Sequence, residues 1–148
     1  MKTVFDSHTR EELVSRVNSV KENCNPQWGK MNIYQMLKHC IKWDDMMLGK
    51  IRVRPMFLGR IFGRSALKNV LKNDDPLAKN SPSARELIIR EKAGDITLLK
   101  REWIKRISEY EYFDNQKFVH PFFGKMTKVQ VGQFVYKHHD HHLRQFGL

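Results

Sequence analysis

The chain has 148 residues, with 27 Lys and Arg against 16 Asp and Glu, for a formal charge of +11. That length supports one domain with a self-sufficient core, and 41% hydrophobic residues with 8 Gly and 5 Pro exclude a disordered chain. No apolar run approaches the ~18 residues of a membrane span, the opening residues lack the apolar region of a signal peptide, and two cysteines cannot build a disulfide framework. A cytoplasmic protein without a membrane partner is the expectation.

Thr9 and Glu12 have capping-box spacing ahead of Leu13, Val14, Val17 and Val20, which predicts a helix over 9–23. Asn25-Pro26-Gln27-Trp28-Gly29 then breaks the chain. Asn32 and Gln35 form a second capping-box pair, opening a helix with Ile33, Met36, Leu37, Cys40, Ile41, Met47 and Leu48 on one face. Asp44 falls on that face and needs a partner if buried; Asp45 reads as its exposed neighbour. Residues 50–72 hold seven basic side chains and no acid, with a short helix expected over 61–71. Residues 73–83 read as a surface loop, and 86–90 as a short extended piece. Asp95 is placed to cap a long helix carrying Ile96, Leu99, Trp103, Ile107 and Tyr110. A connector over 115–125 precedes a third capping-box pair, Thr127 and Gln130, which opens a last helix to about residue 146. Four long helices with a long gap between the second and third predict an all-α four-helix bundle, its crossover connection carrying a short extra helix.

Four of the seven histidines lie in the last eleven residues. Helical phase from Val131, Phe134 and Val135 carries the buried face on to His138 and His142, with His139 at its edge and Asp140 turned outward to pair with Arg144. Histidines at i and i+4 project from one side of a helix, the spacing that chelates one metal ion. A third ligand must come from elsewhere: His39, inside the second helix, is the best candidate, His120 competes with it, and His139 is a further alternative. An isolated pair at this spacing is more often solvated or packed than metallated, and the continuing apolar face argues the other way, because buried imidazoles need partners.

The helical Met36-Leu37-Lys38-His39, the long gap and the terminal His138-x-x-x-His142-x-x-Gln145 together resemble the DinB/YfiT-like superfamily of metal-dependent four-helix-bundle proteins. Trp28-Gly29-Lys30-Met31-Asn32 and His120-Pro121-Phe122-Phe123-Gly124 are similar to an uncharacterised branch of it, a bacterial domain-of-unknown-function family. The resemblance spans about residues 5–148. It implies one divalent ion, zinc or nickel, held by His39, His138 and His142, and it implies chemistry like that of the superfamily's best understood members, thiol-dependent transferases and isomerases. The crowding of His139 and His141 around the terminal pair departs from the family pattern.

Three neutral imidazoles leave coordination positions open, as in a catalytic site. A bound water or thiol would be activated there, and Asp44 and Gln145 are the interior candidates to orient imidazoles or act as base. The first functional reading is therefore a metal-dependent hydrolase or thiol transferase acting on a small molecule, either anionic or a low-molecular-weight thiol. The second is an anion- or nucleic-acid-binding module. Arg60, Arg64 and Lys68, continued by Lys72, recur at steps of four and would line one helix face. That stripe reads better as a solvated face or a funnel for an anionic substrate than as a nucleic-acid surface, since single-strand binders interleave aromatics and Phe62 also fits a core position. A third reading is a metal-free bundle that dimerises through His138 and His142.

Overall fold

The computed structural model describes residues 1–114 and 118–148. It contains five α-helices: α1 (Ser7–Asn18), α2 (Ile33–Met47), α3 (Phe57–Val70), α4 (Ile96–Glu109) and α5 (Lys128–Gln145). Between α4 and α5, β1 (Val119–His120) and β2 (Gly124–Lys125) form a small antiparallel hairpin. The hairpin is an addition to the all-α expectation. It occupies the described part of the predicted connector, whose residues 115–117 lie outside the described residues.

Three of the predicted caps are made, two of them with the predicted partners. Asn32 and Gln35 complete a reciprocal capping box at α2, as do Thr127 and Gln130 at α5, and the Asp95 carboxylate accepts from the Leu98 amide at the start of α4. The first helix differs. Its N-cap residue is Asp6, and Thr9 is buried one turn inside, its hydroxyl donating to the Asp6 carboxylate. It ends at Asn18, short of the expected residue 23, and Lys100 reaches across from α4 to donate to the carbonyls of Asn18 and Val20, groups left without helical partners there.

The helices α1, α2, α4 and α5 form the bundle, with α4 and α5 each packed against both α1 and α2. Its core includes Leu13 and Val17 from α1, Met36, Leu37 and Met47 from α2, Trp103 and Ile107 from α4, and Val135 and Leu143 from α5. No helix among the described residues is long and apolar enough to cross a membrane. The crossover from α2 to α4 contains α3, which begins at Phe57, earlier than the expected residue 61, and packs on β2. The extended reading of 86–90 needs one correction: Arg85–Leu87 is a single 3-10 turn, and the chain is extended only beyond it.

The last helix departs most from its sequence pattern. Every residue from Lys137 to Leu143 is buried, although this run is almost wholly polar. Asp140 does not turn to solvent: its carboxylate accepts from Arg16 of α1 at 2.9 Å and from Arg144 at 2.7 Å. Lys137 donates to the carbonyls of Val70 and Asn73 in the crossover. The helix is enclosed on several sides, so Asp140 and Lys137 find their partners in protein, while the Nδ1 atoms of His138 and His139 are buried without one.

Candidate metal centre

His39 of α2 and His138 and His142 of α5 converge in the interior. One ring nitrogen from each lies within 4.8 Å of the other two, and all three residues are buried. Ring centroids are 5.5 Å apart for His39 and His138, 4.9 Å for His39 and His142, and 4.6 Å for His138 and His142. The i, i+4 spacing supplies the last pair, and α2 brings the third imidazole from across the bundle.

Two of the rings are aimed by hydrogen bonds. The His39 Nδ1–H donates to the Leu87 carbonyl at 3.0 Å, which leaves Nε2 free with its lone pair. His142 Nδ1 lies 3.0 Å from Gln145 Oε1. The Gln145 amide nitrogen donates to the Trp28 carbonyl at 2.8 Å, so its oxygen faces the ring and His142 also presents Nε2 as acceptor. The third ring, His138, stacks on Trp43 with centroids 3.7 Å apart and planes at 7°; its Nδ1 is buried without a partner. An imidazole enclosed in this way is costly as a bare group, and ligation of a cation would compensate for that. The donor set therefore fits a divalent ion.

Burial depresses all three imidazoles. It is the largest influence on His39, opposed by the Leu87 hydrogen bond, and it takes His138 and His142 well below the ordinary histidine value, helped by the neighbouring imidazoles. His120 is lowered by burial to about 4. Neutral rings are the form a metal needs. They also set the acid stability of the metal-free chain. The unfolded chain takes up these protons from about pH 6.5 downward while the folded chain resists them. Stability is thus fully present above that pH and is lost as pH falls toward the folded-state values. The urea midpoint of chelator-treated protein is expected to drop clearly between about pH 7.5 and about pH 5; a flat profile would contradict the buried-neutral assignment.

The other sequence candidates go elsewhere. Asp44, fully buried, does not touch the three histidines by hydrogen bond. Its Oδ1 accepts from the Tyr110 hydroxyl at 2.7 Å and from His139 Nε2 at 2.8 Å, and its Oδ2 accepts from Trp103 Nε1 at 3.1 Å. His139 is accordingly turned toward α4, completely enclosed, and stands outside the three-histidine group. His120 is also outside it: its Nδ1 accepts from the backbone amides of Phe122 and Phe123, holding the hairpin turn. Asp45 is half-buried and paired with Arg106. Arg60, Arg64 and Lys68 are exposed on α3 and make no hydrogen bond or ion pair with another described residue. The carbonyls of Leu87 and Trp28, which aim two imidazoles, carry no side-chain signature, so sequence patterning does not reveal them.

A helical bundle with a buried cluster of three histidines, two on its last helix and one on α2, defines the class of protein. The family model of the DinB superfamily matches residues 7–146, nearly the whole chain, and the protein belongs to that superfamily. No curated protein and no solved structure shows a significant match.

Proposed function

We propose that this chain holds one divalent metal ion at His39, His138 and His142 and uses it in a thiol-dependent transfer on a small molecule. The observation that carries the reading is the convergence of three buried imidazoles within 4.8 Å. An all-imidazole set suits several first-row metals, and the superfamily resemblance favours zinc or nickel. When bound, such an ion supplies positive charge that lowers the pKa of a coordinated thiol or water.

The protein's own part is orientation and exclusion of water. Leu87 and Gln145 fix the tautomers of His39 and His142, and Trp43 backs His138. Thiol chemistry is preferred to hydrolysis because a thiol beside the same cation ionises more readily than water, whose proton a free carboxylate would help to take. The interior carboxylates of Asp44 and Asp140 are both occupied, by Trp103, Tyr110 and His139 and by Arg16 and Arg144. A thiol, with its lower intrinsic pKa, makes less demand on a protein base.

Elemental analysis of untagged protein is expected to find one ion per chain; its absence from purified and metal-reconstituted protein would sink the proposal. Cobalt-substituted protein should then develop a sulfur-to-cobalt charge-transfer band with a low-molecular-weight thiol and none with the matching alcohol. Metal binding without that band would transfer the site to the hydrolase reading. Gln145→Ala removes the acceptor that aims His142 and is expected to weaken metal affinity about 10–100-fold, as measured by chelator competition. Unchanged affinity would show that the ring needs no such support.

A further inference from the structure

Helix α3 is seated through its glycines. A Cβ on Gly59 or Gly63 would lie 2.3 or 2.1 Å from the Phe122 carbonyl oxygen, so this face is pressed onto the hairpin turn. The side turned away from that contact is apolar. Phe57 is 73% exposed, Leu58 57%, Ile61 61% and Phe62 57%, which overturns the expectation that Phe62 is core. At 3.6 residues per turn these four span an arc of about 140° on the first two turns of the helix. Arg60 and Arg64 follow one border of the arc, and Lys68 closes its C-terminal end, all exposed. A groove lined by Pro55, Phe57 and Leu58 extends the apolar surface, with Arg54, Arg85 and one acid, Glu86, also on its walls. The whole stretch 50–72 contains no acid.

We propose that α3 docks the protein on an anionic lipid surface. The helix lies in the plane of the interface, with Phe57, Leu58, Ile61 and Phe62 among the acyl chains and Arg60, Arg64 and Lys68 on headgroup phosphates. Exposed aromatic and aliphatic residues bordered by arginine and lysine are the composition that interfacial helices use. An exposed cluster of this kind marks an interaction surface rather than ordinary scatter. No helix among the described residues is long and apolar enough to cross a bilayer, and attachment to its face requires none.

Charge selects the occupant. A second copy docked through the same face would bring two sets of Arg60, Arg64 and Lys68 together, with Arg54 and Arg85 beside them and only Glu86 of each groove to set against that charge. An acidic protein partner would have to supply a groove matched to a convex ridge, whereas fluid acyl chains accommodate a ridge of any shape. This inference does not depend on the histidine cluster.

Vesicle flotation with the full chain tests it. The protein is expected to float with phosphatidylcholine vesicles containing phosphatidylglycerol, to stay down with phosphatidylcholine alone, and to be released by high salt. The double variant Phe57→Ala/Phe62→Ala, at two exposed positions, should melt like the parent and bind at least about tenfold more weakly. Failure to float with anionic vesicles at low salt would overturn the proposal, as would equal binding to neutral ones. Undiminished binding by the double variant would reduce the attachment to bulk charge and overturn it too. A dimer in sedimentation velocity that the double variant dissolves would assign the face to a second copy instead.

Discussion

His138→Ala is expected to lower metal affinity by more than about a hundredfold, since loss of even an orienting partner costs up to that much and this change deletes a donor. Two imidazoles would remain, His39 and His142, 4.9 Å apart by ring centroid, too few to hold an ion stoichiometrically against a chelator. The same variant separates ligation from packing. His138 gives its stacked face to Trp43 but has an Nδ1 that is buried without a partner. Truncation loses ring contacts worth about 2–4 kcal/mol and relieves part of that through removal of the unsatisfied group. The metal-free variant should therefore unfold only modestly earlier than the metal-free parent, while its metal content collapses. Full occupancy after dialysis against a chelator would exclude His138 as a ligand.

Asp44→Ala is expected to be the most damaging substitution for stability, at about 3–5 kcal/mol. Three donors converge on this carboxylate from two helices: Trp103 and Tyr110 on the α4 side and His139 on α5. Its removal strands all three in a region with no access to solvent, and the low local dielectric raises the cost of each unpaired group. For a chain of this size the loss corresponds to about 10 °C or more in the melting temperature. Asp44→Asn retains the volume and one acceptor and should cost less. The measurement is thermal or urea unfolding of metal-free protein, so that lost metal does not enter the comparison. A cost below about 1 kcal/mol would mean that water repairs the gap.

Local signals account for what the sequence revealed. The capping boxes at Asn32 and Thr127 are made by residues three apart, and no tertiary contact is needed to read them. The first helix shows the limit of that signal: Thr9 and Glu12 have the right spacing, yet Asp6 begins the helix and Thr9 is drawn into the core. The pairing of His138 and His142 follows from helical period alone. Their union with His39 depends on α5 meeting α2, which the family resemblance implied and spacing could only make plausible.

Buried polar residues carry no local signal of their burial. The run from Lys137 to His142 alternates charges and imidazoles with no apolar residue, so periodicity assigns half of it to solvent. It is buried because Arg16, Asp44, Asn73 and Leu77 approach from separate parts of the chain. Asp44 was legible as a buried acid needing partners; that its partners would be Trp103, Tyr110 and His139 was not, because two of them look like ordinary core aromatics. Phe62 departs from its pattern in the opposite direction. Its helical phase fits a core, but close contact at Gly59 and Gly63 turns it outward.

The carbonyls that aim the imidazoles also decide when the site can exist. Leu87 lies 48 residues from His39, and Trp28 lies 117 residues from Gln145. Helices form quickly, while closures over such separations come late in folding. A partly folded chain presents the two imidazoles of α5 as a weak chelate and has no means to orient a third. On the proposed metal reading, the oriented three-imidazole site is therefore completed only once the crossover that carries Leu87 and the loop that carries Trp28 have both closed onto the bundle.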